Sequence, residues 1–113
     1  MHELTLAQEI IRIIKNEQRR HGFHKVNLVK LKAGPFSGID QHALSFAFDV
    51  IKEGTCAAQA RIDLDLEPAK FVCRQCGFAD SARNVSSSCP RCRSIDIALE
   101  GTCGFEVAAL EVD

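Results

Sequence analysis

A chain of 113 residues, 46% of them hydrophobic, with a formal net charge of −1, is sized for one domain or one domain with a small satellite. The near-neutral balance excludes a strong pull toward nucleic acid or anionic membrane, and no apolar run approaches the roughly 20 residues of a membrane span. Glu3 and Glu9 interrupt any signal-like start, so the expectation is a cytoplasmic protein whose six cysteines are reduced and serve metals or packing, not disulfides.

The chain opens Met1-His2-Glu3. Thr5-Leu6-Ala7-Gln8 reads as a capping box, with Thr5 as N-cap, so a helix is expected to begin near Leu6 and run to about residue 20. Leu6, Ile10 and Ile13 form one apolar row and Ala7, Ile11 and Ile14 the next. Gly22 is the expected stop. In front of the helix, Met1, His2 and Glu3 would form a short free end carrying an α-amine, backbone amide nitrogens and an imidazole. A compact set of nitrogen donors suits Ni(II) or Cu(II).

Residues 23–33 predict a strand. Val26 and Leu28 alternate with polar residues, then the phase flips to Val29 and Leu31, which calls for a bulge or burial of both faces. Ala33-Gly34-Pro35-Phe36-Ser37-Gly38 is turn chemistry. Asp40 is expected to cap a second helix over 41–53, with Leu44, Ala47, Phe48 and Ile51 as its apolar stripe and Gly54 at its end. Arg61 to Glu67 alternates as a strand with one wet face. Residues 104–112 return to strand composition.

Between these last two strands, residues 70–96 change character to cysteine, arginine and serine. Cys73-Arg74-Gln75-Cys76 and Cys89-Pro90-Arg91-Cys92 form two C-x2-C pairs separated by twelve residues. Each pair can place two thiolates on one tight turn, and two such knuckles close a tetrahedron around Zn(II). Gly77 follows the first pair and Arg93 the second, so the knuckles differ in sequence. Four thiolates leave no open position for water, which makes the expected zinc structural rather than catalytic. Cys56 and Cys103, outside the pairs, read as buried packing residues. His21, His24 and His42 stand alone and read as surface or structural.

The predicted fold is α+β: a small three-stranded sheet with two helices, plus an inserted four-cysteine zinc-ribbon-like module. The expected division is residues 1–69 with 97–113 as the α+β domain and residues 70–96 as the zinc-binding module. The size admits a monomer, a homodimer or a strand-exchanged dimer. No nucleophile is paired with a base, so an enzyme is not expected.

Met-His-Glu-Leu at the start, Thr-Leu-Ala-Gln in a helix, Ala33 to Gly38, Ala43-Leu44-Ser45-Phe46-Ala47-Phe48-Asp49 and the two cysteine pairs together resemble the HypA/HybF family of nickel-insertion accessory proteins. The resemblance runs over essentially the whole chain. It implies a Ni(II) site at the N-terminus built from the His2 imidazole and backbone nitrogens near Met1, His2 and Glu3. It also implies structural Zn(II) on Cys73, Cys76, Cys89 and Cys92. The implied activity is that of a metallochaperone passing nickel, as cargo, to the large subunit of a NiFe hydrogenase, with a HypB-type GTPase as partner. The Glu3 side chain is implied as a ligand, an acceptor behind the ligands, or a charge favourable to the helix start. Some relatives carry a histidine beside a cysteine pair; here Ala79 and Ile95 stand there. Two other readings are a nucleic-acid-binding zinc ribbon and a zinc-stabilised protein adaptor. The ribbon has five basic residues between Lys70 and Asp96, but Asp80, Asp96 and the negative charge of four zinc-bound thiolates offset nearly all of that footprint.

Overall fold

A computed structural model describes residues 3–113. Helix α1 spans Glu3–His21. Its start corrects the capping-box expectation: Thr5 lies inside the helix, and Glu3 belongs to the first turn rather than to a free end. An acidic residue in the first turn suits the positive end of the helix dipole, so no threonine cap is needed to begin it there. The apolar rows fall as expected, with Leu6, Ala7, Ile10, Ile11 and Ile14 buried. The N–H of Gly22 closes onto the Gln18 carbonyl at 2.8 Å and ends the helix.

Strand β1 (Val26–Ala33) follows. The phase flip is real: Val26 and Val29 are both buried, and the pairing register shifts between Val26 and Leu28 and again between Lys30 and Leu31. Helix α2 (Gln41–Ile51) begins at the Asp40 cap, whose Oδ1 accepts from the N–H groups of His42 (2.8 Å) and Ala43 (3.3 Å). Leu44, Ala47 and Phe48 are its buried face. It then crosses to β2 (Arg61–Leu66), which pairs parallel to β1. Parallel neighbours cannot be joined by a tight turn, and α2 supplies the required crossover. Strand β6 (Phe105–Val112) pairs antiparallel to the other side of β1, giving the order β2-β1-β6. Both helices contribute to one core with the inward face of this sheet.

The insert forms its own sheet. β3 (Lys70–Cys73) lies between β4 (Ala79–Ser81) and β5 (Ile97–Glu100), all antiparallel. Its buried residues are Phe71, Cys73 and Cys89, with Cys76, Phe78, Val85 and Ile97 packed alongside. Phe71 and Phe78 meet edge to face, with centroids 6.5 Å apart. The molecule is elongated, 56 × 24 × 17 Å.

The chain leaves the main sheet after β2 and returns to it at β6 beside one loop. The Gly34 N–H donates to the Gly104 carbonyl (2.9 Å) and the Phe36 N–H to the Thr102 carbonyl (3.1 Å). The Glu67 N–H donates to the Ala33 carbonyl at 2.8 Å. A Cβ at Gly34 would fall 2.1 Å from the Thr102 carbonyl oxygen, and one at Gly101 would fall 2.3 Å from Pro35 Cγ. The Gly34–Pro35 turn therefore clasps the returning segment backbone to backbone. Gly34→Ala is expected to lower unfolding free energy by about 2–3 kcal/mol, the cost of forcing packed backbone apart. Gly104→Ala, which meets nothing within 4 Å, should change it by less than about 1 kcal/mol. Denaturant unfolding of the two variants checks the contrast.

Candidate metal centre

The two cysteine pairs fold as matching knuckles. In the first, the Cys73 N–H donates to the Phe78 carbonyl (2.8 Å), and the Gly77 N–H returns to the Cys73 carbonyl (3.0 Å). In the second, the Cys89 N–H donates to the Ser94 carbonyl (2.9 Å), and the Arg93 N–H returns to the Cys89 carbonyl (2.8 Å). The residue after each second cysteine has positive φ, 81° at Gly77 and 65° at Arg93. The difference in sequence thus hides one backbone shape. Glycine adopts it freely, whereas arginine bears a steric cost there.

This shape brings all four sulfurs within 4.8 Å of one another. Cys73 Sγ lies 3.5 Å from Cys92 Sγ, and Cys76 Sγ lies 3.6 Å from Cys89 Sγ. A tetrahedron with zinc–sulfur distances of about 2.3 Å has edges of about 3.8 Å, so the cluster is close to the size that zinc requires. Backbone N–H groups point at the sulfurs: Cys76 N–H at Cys73 Sγ (3.4 Å), and Arg91 and Cys92 N–H at Cys89 Sγ (3.4 and 3.5 Å). Such donors stabilise thiolate over thiol. Cys73 and Cys89 are buried, Cys76 is half-buried and Cys92 is exposed. The donor set and spacing fit a closed tetrathiolate site, with no position left for a water or substrate.

The same contacts divide the four thiols electrostatically. The Cys76 N–H is the largest influence on Cys73 and outweighs its burial, so that its pKa falls to about 6. At Cys89 burial is the largest single influence and acts upward, but the N–H groups of Cys92 and Arg91 together win and the pKa is lowered. Cys92 is lowered by the Ser94 N–H, yet burial and its three sulfur neighbours together push it up to about 12. Without a cation, four adjacent sulfurs cannot all carry charge.

Other expected positions fare differently. His2 and Met1 lie outside the described residues. Glu3 is half-buried at the start of α1, and its Oε2 is enclosed with no hydrogen-bond partner among the described residues. Asp40 is a helix cap. Cys56 packs against the main core, and burial raises its thiol pKa. Cys103 is a correction: it is exposed, because the segment from Gly101 to Gly104 engages the Gly34 turn through its backbone and leaves this side chain outside. His21, His24 and His42 are exposed. Sequence reasoning missed the strain at Arg93 and the Glu3 oxygen that has no partner among the described residues. The first was signalled by the equal spacing of Gly77 and Arg93 after their cysteines.

The family described as "Hydrogenase/urease nickel incorporation, metallochaperone, hypA" has a model that matches residues 1–112. The chain belongs to the HypA family. It is similar to the "Hydrogenase maturation factor HypA" of Syntrophus aciditrophicus, 36% identical over 113 residues, which is 100% of this chain and 98% of that one. The protein of the same name from Alkalilimnicola ehrlichii is 34% identical over 100% of both chains. The solution structure of "the Ni metallochaperone HypA from Helicobacter pylori" shares the fold, with a TM-score of 0.64 over 99% of this chain and 97% of that one at 20% identity. Membership in HypA makes this chain a metallochaperone of the maturation-factor class and not an enzyme. Among the described residues, no helix is long and apolar enough to cross a membrane.

Two outcomes follow from the cluster. Zinc binding at pH 7 should release at least one proton, since the Cys92 thiol must ionise, and apparent affinity should rise with pH. The dependence should steepen as pH falls through about 6, where Cys73 also protonates. Calorimetry in buffers of differing ionisation enthalpy reads the proton count; a pH-independent affinity would contradict it. Arg93→Gly should retain the metal and raise stability by roughly 0.5–1 kcal/mol by relieving the positive φ, measured by denaturant unfolding of the loaded protein.

Proposed function

We propose that this chain is a nickel carrier that binds Ni(II) at its N-terminus and delivers it to the large subunit of a NiFe hydrogenase, while zinc on Cys73, Cys76, Cys89 and Cys92 serves structure. The observation that carries the reading is the match of a nickel-incorporation family to this chain from residue 1 onward, where Met1-His2-Glu3 supplies an amine, an imidazole and amide nitrogens. Two features of Glu3 support it. A residue in the first turn of a helix has an N–H with no intrahelical partner, so that nitrogen is uncommitted. Its enclosed carboxylate oxygen also lacks a donor among the described residues, and a nearby cation or a ligand N–H would offset that desolvation.

The two sites divide the chemistry by donor type. Nitrogen donors in tetragonal geometry suit Ni(II), and thiolates in a tetrahedron suit zinc. Four protein thiolates saturate zinc and hold it. A short end with few donors leaves the remaining nickel positions to an acceptor, and transfer proceeds by ligand exchange. The partner set is a HypB-type GTPase and the hydrogenase large subunit. The nucleic-acid reading loses ground because Phe71 and Phe78 pack on each other and on the cysteine cluster, so the insert offers no exposed stacking platform.

The decisive variant is His2→Ala. Zinc-loaded protein with its Met1 terminus should take up one Ni(II) per chain, and His2→Ala should lose about tenfold or more in affinity with zinc content and folding unchanged. Equal nickel binding by the two forms would sink the N-terminal site and leave a zinc-stabilised adaptor.

A further inference from the structure

The main sheet has two free edges, and they are not alike. β2 carries Arg61, Asp63 and Asp65 along its length and is followed by Pro68. Charges and proline are what natural edges use to discourage pairing. β6 is longer, holds no Lys, Arg or Pro, and has Ala108-Ala109 at its centre. Beside it, between β6 and α1, runs a groove of about 490 Å³ whose apolar lining includes Ile13, Phe23, Val107, Leu110 and Val112. Val112 is 41% exposed. This edge is therefore long and flanked by half-buried apolar surface, and its protection is limited to Glu106, Glu111 and the bulge that leaves Ala108 without a partner on β1.

Charge decides what fits there. The only ionisable residues of β6 are Glu106 and Glu111. On the β1 side, Glu106 stands opposite Lys32, but Glu111 stands opposite Leu28. Glu17 also lines the groove, but it is paired there with His21 (3.1 Å) and with Arg20 (3.3 Å), so the charge open to an added strand is that of Glu106 and Glu111. A strand added at the free side would place its residues about 5 Å from these glutamates. A second copy of β6 is a poor occupant: paired antiparallel about Ala108-Ala109, it would set Glu106 of one copy against Glu111 of the other, and like charges directly opposite are destabilising.

We propose that the free edge of β6 binds an extended segment of a partner protein by strand addition. Apolar residues of that segment would enter the α1–β6 groove, and its Lys or Arg residues would lie beside Glu106 and Glu111. Backbone hydrogen bonds supply the affinity in this mode, and the alternation of apolar and basic side chains supplies the selection. The inference rests on the sheet edge and stands or falls separately from nickel binding at the N-terminus.

The test uses the zinc-loaded full chain and two synthetic capped peptides, one alternating Val with Lys and the other alternating Val with Glu. Amide NMR spectra are recorded during titration with each. The Val/Lys peptide should shift the amides of residues 105–112 and the facing turns of α1, and the Val/Glu peptide should bind at least about tenfold more weakly. Glu106→Lys with Glu111→Lys should reverse that preference and leave nickel uptake unchanged. If the double variant does not fold, the two peptides on the unaltered chain still decide the charge argument. No β6 shifts up to about 1 mM peptide, or equal binding of the two peptides, would overturn the proposal. So would β6 shifts that follow protein concentration alone, which would assign the edge to a second copy.

Discussion

Four sulfurs held within 4.8 Å are the constraint on which the insert depends. Its own core contains one large apolar side chain buried completely, Phe71, and a fully buried side chain contributes only about 1.5–3 kcal/mol. Ordering the backbone costs about 1–2 kcal/mol per residue, so this cluster of Phe71, Cys73 and Cys89 cannot hold a three-stranded sheet by burial alone. Metal binding to such a site contributes on the order of 10 kcal/mol, enough to change the sign of that balance. The knuckle hydrogen bonds, the positive φ at Gly77 and Arg93 and the ionisation of Cys73 all serve the same geometry.

The β2-β1-β6 sheet and its two helices are built differently. Ile10, Ile14, Val29, Leu31, Leu44 and Phe48 are almost fully buried there. What joins this sheet to the insert is a backbone clasp in which Gly34 and Gly101 permit approaches that any side chain would forbid. Arg83 adds a hydrogen bond from its guanidinium to the Leu66 carbonyl at 3.1 Å. The metal-bearing sheet is thus tethered near the ends of β1 and β2 by a few backbone contacts rather than by a shared core.

Much of this was legible in the sequence because periodicity and cysteine spacing are local signals. Both helices, the capping role of Asp40, the bulge in β1 and the convergence of Cys73, Cys76, Cys89 and Cys92 follow from residues within a short window of one another. The parts that were not legible depend on residues far apart. Gly34 looks like ordinary turn chemistry until Thr102 arrives beside it, and Cys103 looks like packing until that same contact turns it outward. Composition changes at Asp96, whereas the pairing of β5 with β3 carries the insert's sheet to Glu100. Thr5 carried a cap signature, yet it lies inside the helix, which already includes Glu3.

The proposed division of two metals by donor chemistry puts nickel on nitrogen at the N-terminus and zinc on sulfur in the insert. X-ray absorption at the nickel edge of protein loaded with one nickel and one zinc tests it most directly. The nickel shell should hold nitrogen and oxygen donors with an imidazole signature and no sulfur, beside a zinc shell of four sulfurs. Sulfur in the nickel shell, with zinc displaced, would contradict it by placing the cargo in the cysteine cluster.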